Sequence, residues 1–223
     1  MKRRAFHRLC AGLAVSVATT GQVAAYGPRT PHGRVALVDS DNAPVRASDV
    51  SPGTSWVFAY PFVTSPCFLI NIGAGEPSGH PLALQTTTSA DTTLVAFAAI
   101  CTHKLSHPAK AISFLSYRPP TSDSPVHRIV CCSEGSVYDA ARGAAVLSGP
   151  APAPLAAIEL VEDNDGALFA TASYAGNLYD RFYNAFGFRL ALEYAVDEPR
   201  TPVENRTIVR TLEEHSAQRV ACF

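Results

Sequence analysis

The sequence has no internal repeat, no low-complexity tract and no uninterrupted apolar run long enough to make a convincing membrane span. It has no basic excess either: 18 Lys and Arg stand against 19 Asp and Glu in 223 residues, a formal net charge of −1. That balance argues against nucleic acid and anionic membrane surfaces as partners. Charged residues are only 17% of the chain, and hydrophobic residues are 47%, the balance of an ordinary globular protein rather than a disordered one. At this length the chain makes one well-packed domain, or one domain with a sizeable appendage.

The first residues read as an export signal. MKRRAFHR is basic, LCAGLAVSVATT is apolar and small, and Val23-Ala24-Ala25 ends in a small-residue cleavage pattern. Arg3-Arg4 sits just ahead of the apolar run, as in a twin-arginine signal, a route that carries proteins already folded. Thr19, Thr20, Gly21 and Gln22 interrupt the run, which speaks against an anchor. Loss of residues 1–25 removes Lys2, Arg3, Arg4 and Arg8 and no acid. The 18 basic groups then drop by four to 14 against 19 acidic, a net −5. Cys10 leaves with the signal, and Cys67, Cys101, Cys131, Cys132 and Cys222 remain. An odd count in an exported chain means that at least one thiol does something other than pair within the chain, and metal ligation is one such use.

From residue 34 onward the apolar stretches are short and bounded by turn residues. RVALVD, SWVFAYPF, CFLINI, PLALQTT, LVAFAAI, AISFLSY, HRIVCC, AAVLS, LAAIELV and GALFATA all read as strands. Seventeen prolines and fourteen glycines supply the turns between them. The fold class expected is all-β, an antiparallel sandwich or barrel. After Ala172 the texture changes. Leu178, Phe182, Phe186 and Leu190 recur at intervals of four, one stripe of a helix, read as a packing face against the strands. The final stretch is polar and reads as loosely attached.

Two short stretches carry the chemistry. Cys101-Thr102-His103 follows the strand LVAFAAI, and Cys131-Cys132-Ser133-Glu134-Gly135-Ser136-Val137-Tyr138-Asp139 follows HRIVCC. Each puts soft or borderline metal ligands in a loop at a strand end. Two such loops at one tip of a sheet can hold a single centre.

These two stretches resemble the two motifs of the Rieske [2Fe–2S] iron–sulfur proteins, in which two Cys hold one iron and two His the other. GAAVLSGPAPAPL, residues 143–155, resembles the proline-rich segment that covers the cluster in that family. Glu162-Asp163-Asn164-Asp165-Gly166 followed by ALFAT resembles its closing hairpin. The likeness covers residues 34–172 and leaves 173–223 as a helical and polar C-terminal extension. It implies a Rieske-type β fold and a cluster.

The chain departs from the family at one point: the second motif has no histidine. Two registers follow. In the first, Cys131 is the ligand, Glu134 takes the histidine's place, and Ser106 and Ser133 fall where some members carry a bracing disulfide. In the second, Cys132 is the ligand and Gly135 stands where the histidine would be. That register resembles an exported branch of the family and is preferred on that ground. The ligands expected are Cys101, His103 and Cys132, with Cys131 the alternative and Glu134 a substitute donor. His107 and His127 are the nearest histidines that a gap at Gly135 can borrow. Ser136 and Tyr138 match the family's hydroxyls that bond cluster and cysteine sulfur. A mononuclear site, such as zinc on Cys101, His103 and Cys132, is a further option. Cys67 and Cys222 are free to pair in an oxidising compartment, although nothing in the sequence brings them together.

The family's oxygenases need a two-histidine, one-carboxylate iron site. Residues 173–223 hold only His215 and cannot build one. The function implied is therefore a periplasmic electron-transfer protein or iron–sulfur subunit of an oxidoreductase complex. Its partner would be a redox protein such as a c-type cytochrome. The alternative is a Rieske fold without the cluster, serving as a structural or binding subunit.

Overall fold

The computed structural model describes residues 27–74, 84–85 and 92–222. The expected export segment lies outside them, as does Cys10. The fold is all-β with one long helix, as expected. Its strands are β1 (Thr30–Val38), β2 (Ser55–Ala59), β3 (Pro66–Asn71), β4 (Leu84–Gln85), β5 (Thr93–Ala98), β6 (Leu115–Arg118), β7 (Arg128–Cys131), β8 (Ser136–Asp139), β9 (Ala145–Ser148), β10 (Ala157–Glu162), β11 (Leu168–Tyr174), β12 (Arg206–Ile208) and β13 (Arg210–Thr211). Helix α1 spans Leu178–Tyr194 and the single turn α2 spans Leu212–His215.

The larger sheet runs β12-β1-β11-β10-β5-β3-β2-β13, with β4 beside β5. A smaller antiparallel sheet, β6-β7-β8-β9, packs against it. Strands β3 and β5 are buried along their whole length because both of their faces are covered. Alternation divides their side chains between two cores. Cys67, Leu69, Leu94 and Ala96 face the core shared with α1, and Phe68, Ile70, Val95 and Phe97 face the core shared with the smaller sheet. The stripe on α1 packs as the spacing predicts: Leu178, Phe182 and Leu190 are buried, and Phe186 is partly so.

The polar tail is not loosely attached. The two ends of the larger sheet, β12 and β13, are consecutive pieces of one segment, separated only by Val209. β12 pairs in parallel with β1, and β13 pairs antiparallel with β2. The tail thereby joins the two sheet ends and nearly closes a barrel, leaving no long unpaired edge there. Val209 N–H donates to Val38 O at 2.8 Å, and its side chain is buried between the strands. Short polar strands of two and three residues carry almost no periodic signal, so they read as loop from sequence. RPPTSDSP forms the largely exposed connection between β6 and β7.

Two measurements check this packing. Phe182→Ala, at a side chain with no exposure, is expected to lower unfolding free energy by about 3–5 kcal/mol in urea titration. The Val209 amide is expected to exchange hydrogen as slowly as the amides of β1; exchange at loop rates would show an open seam.

Candidate metal centre

Strand alternation delivers the site. Past β5, the side chains that face the smaller sheet continue from Val95 and Phe97 through Ala99 to Cys101, which is fully buried. On β7, Ile129 and Cys131 point into the same core. On β8, Ser136 and Tyr138 are fully buried. One cysteine from each sheet thus enters the same interior.

Each cysteine is wrapped by the loop that follows it. Cys101 N–H donates to Ser106 O and Leu105 N–H donates to Cys101 O, both at 2.9 Å. This closes the turn CTHKLS with Leu105 at φ +59°, a left-handed conformation costly for a non-glycine residue. Leu105 is 93% hidden from solvent by packing into the larger core, which offsets that cost. In the second loop Gly135 N–H donates to Cys131 O at 2.9 Å and Gly135 sits at φ +74°. Glycine adopts this left-handed turn without the steric cost that Leu105 bears.

The two sulfurs are held close and unequally protonated. Cys101 Sγ accepts from the Cys131 thiol, from Tyr138 O–H at 3.2 Å, and from the backbone N–H groups of His103 and Lys104. These donors, led by Cys131, pull the Cys101 pKa down to about 5 against the opposing effect of burial. Cys131 moves up, because its proton is shared with Cys101 and because it is buried. Backbone N–H groups of Ser133 and Glu134 point at its sulfur. The shared proton thus favours Cys131 and the charged form favours Cys101. Tyr138 is shifted upward, by burial and then by its bond to Cys101, so it remains a hydroxyl donor.

Two buried polar atoms stand beside this pair without a partner. His103 is half-buried, yet its Nδ1 is hidden from solvent and makes no hydrogen bond. Ser136 Oγ is likewise buried and unbonded. Leaving such groups unpaired costs on the order of 1–3 kcal/mol each, and Tyr60 Oη, Arg128 Nε and Tyr179 Oη are also buried without a partner.

Cys132, the preferred ligand from sequence, is not available. It forms a disulfide with Cys222, 90 residues away. Alternation explains the exchange: with Ile129 and Cys131 inward, Cys132 lies on the other face of the strand and meets the tail. Cys67 and Cys222, which the sequence left free to pair, do not: Cys67 is a buried free thiol that donates to Tyr60 O at 3.0 Å. Arg118 braces the bridge by donating to Cys222 O. A zinc site using Cys132 falls with the disulfide. Among the described residues no three His, Cys, Asp or Glu side chains converge on one ion.

The borrowed histidines are committed elsewhere. His107 bonds Leu105 O through Nδ1 at 3.0 Å and sits edge-on to Phe182 and Phe186, with centroids 4.8 and 5.1 Å away. His127 stacks on Tyr117 and bonds its hydroxyl at 2.7 Å. Glu134 is exposed at the tip of the second loop and makes no ion pair among the described residues. Ser106 and Ser133 line one small cavity, in the places where the first register puts the lost disulfide.

The proline-rich segment lies over the site. A Cβ on Gly149 would fall 2.5 Å from Gly135 O and 2.6 Å from Ser136 Cα, so only glycine permits this approach. Ala153 O accepts from Thr102 Oγ1 at 2.7 Å, which ties the same segment to the first loop. Helix α1 adds Arg181, whose guanidinium donates to Thr102 O at 3.2 Å. The sequence carries no mark of that contact.

The disulfide closes a long loop, so Cys222→Ser is expected to cost about 2–5 kcal/mol of stability, read by urea unfolding. Peptide mapping of the unreduced, metal-free protein should recover Cys132 cross-linked to Cys222, with Cys67, Cys101 and Cys131 as thiols. A Cys67–Cys222 cross-link would overturn the assignment.

No protein-family model matches the chain, and none of the curated proteins does. Among solved structures it is similar to the soluble domain of Rieske protein II from Sulfolobus acidocaldarius, at 26% sequence identity. The match covers 67% of this chain and 79% of that one, with a TM-score of 0.40, a partial overlap of the two backbones.

Proposed function

We propose that the chain is a Rieske-type electron-transfer protein that holds a [2Fe–2S] cluster through Cys101 and Cys131 on one iron. His103 Nδ1 and the Glu134 carboxylate would serve the other. The observation that carries this reading is the pair of orphaned buried atoms, His103 Nδ1 and Ser136 Oγ, set beside two thiols already ringed by N–H donors. A cluster would supply a one-electron store. The chain's own residues do the rest. The N–H groups of His103, Lys104, Ser133 and Glu134 and the Tyr138 hydroxyl direct positive dipoles at the sulfurs and favour their charged form. Ser136 provides a further hydroxyl. The Gly149–Ala153 segment limits water at the site.

Glu134 sets this centre apart. A carboxylate adds negative charge where a neutral imidazole would stand, which disfavours the extra electron. The expected potential is therefore at or below the low end of the range for two-histidine centres, about −150 mV. With only one imidazole ligand, part of the proton coupling seen in such centres is lost. In keeping with an export signal, the protein would work in the periplasm, passing single electrons to a c-type cytochrome or a larger oxidoreductase subunit. A second reading is favoured by the missing second imidazole and by the proton that already satisfies both cysteines: the same fold without iron, acting as a scaffold in a redox complex.

Iron and acid-labile sulfide per chain, with the electron paramagnetic resonance spectrum of the reduced protein, separate the two. Two irons, two sulfides and a low average g value are expected. Cys101→Ser, Cys131→Ser and His103→Ala should abolish the signal, and Cys132→Ser should keep it. A folded protein free of iron after anaerobic reconstitution would leave the scaffold reading. In the loaded protein, Glu134→His is expected to raise the midpoint potential and make it more pH-dependent, measured by redox titration between pH 6 and 10. An unchanged potential would remove Glu134 from the ligand set.

A further inference from the structure

The seam where the barrel closes leaves an opening on the molecule's flank. β12 bonds β1 and β13 bonds β2, and near the other end of β2 the gap is bridged by a side chain: Ala59 N–H donates to Thr207 Oγ1 at 3.1 Å. A cavity of about 310 Å³ lies along this seam, under the C-terminal end of α1. That volume is at the lower end of the range for small-molecule pockets, about 300–1,000 Å³.

Its lining has two characters. Val63, Val203 and Ile208 make it largely apolar. Lys110, Arg206 and Arg210 also line it, three cations around one cavity in a chain whose formal charge is −1. Arg206 and Arg210 make no ion pair and no side-chain hydrogen bond among the described residues. Lys110 Nζ is held by the backbone O of Glu193 at 2.9 Å and lies 4.5 Å from the Tyr194 ring centroid. The Glu193 carboxylate is spent on the Lys110 backbone N–H. His215 lines the same space and burial lowers its pKa, so it adds no fixed charge at neutral pH.

We infer that this cavity binds an amphiphilic oxyanion, a carboxylate or phosphate head on a short apolar tail. The two arginine forks would take the head, since each can give two parallel N–H bonds to such a group. The valine-lined interior would take the tail. Three cations against the one nearby carboxylate of Glu193 leave a net positive lining: apolar walls alone accept neutral ligands, and surface cations alone hold only a diffuse ion atmosphere. The site uses none of the residues around Cys101 and Cys131 and stands whether or not a cluster is present.

Isothermal titration of the full chain with octanoate and with octyl phosphate tests it. Acetate and inorganic phosphate serve as head-only controls and octan-1-ol as the tail-only control. Saturable binding of at least one amphiphile is expected. It should weaken tenfold or more in Arg206→Gln/Arg210→Gln, weaken with added salt, and exceed binding of every control. The tighter of the two amphiphiles identifies the head. Both arginines are exposed, so the variant is expected to fold, which its urea midpoint confirms; Val63→Glu, which places a negative charge at a partly buried residue of the lining, is the second variant and should also remove binding. No binding of either amphiphile at millimolar concentration would overturn the inference. So would binding that both variants retain, or a head-only control that binds equally well.

Discussion

The hydrogen bonds that converge on Cys101 Sγ tie together the parts of this protein that matter for its chemistry. The sulfur sits at the end of a strand of the larger sheet. Its donors come from Cys131 and Tyr138 on two strands of the smaller sheet and from its own loop. The two sheets must pack at one fixed spacing for these groups to meet. That spacing is set by Phe68, Phe97, Leu115 and Ile129, all without exposure, in the core between the sheets. Loss of packing there would separate the cysteines before it unfolded the molecule, because the thiol pair depends on contact between layers rather than on either layer alone.

Elements outside the two sheets serve that same geometry. The Gly149–Ala153 segment clasps both loops from above, and Arg181 on α1 holds the carbonyl between Cys101 and His103. The disulfide at Cys132 ties the second loop to the tail, and the tail in turn closes the barrel. Where Ser106 and Ser133 provide no bridge between the two loops, a bridge to the tail restrains one of them from the opposite face. Closure of the barrel and rigidity of the site are in this way properties of one segment, residues 206–222.

Much of this is legible in the residues alone. Ten apolar stretches read as strands, and nine of them fall in strands of the larger or smaller sheet at close to the expected bounds; the tenth, PLALQTT, contributes Leu84–Gln85. β8 escapes because Ser136–Asp139 is short and reads first as motif. β12 and β13 escape because two or three polar residues give no period. Cys101, His103, Ser136 and Tyr138 are all named by motif, and Cys101, Ser136 and Tyr138 are buried in the core between the sheets or beside it. The choice between Cys131 and Cys132 is the instructive failure. HRIVCC reads as a strand, and alternation already places Ile129 with Cys131 and Val130 with Cys132. It cannot say which of those faces is interior, since both are apolar.

By itself the sequence determined an all-β chain, one amphipathic helix and two cysteine-bearing loops in a fixed order, because strand and helix periods and turn residues act over a few neighbours. Only the tertiary structure decided which cysteine turns inward, that Cys222 meets Cys132 rather than Cys67, and that the polar tail seals the barrel. Those outcomes depend on contacts between residues far apart in the chain, 90 residues for the disulfide and farther still for Ala36 with Arg206 at the seam. They follow from which surfaces bury together, a property of the assembled layers that no local pattern encodes.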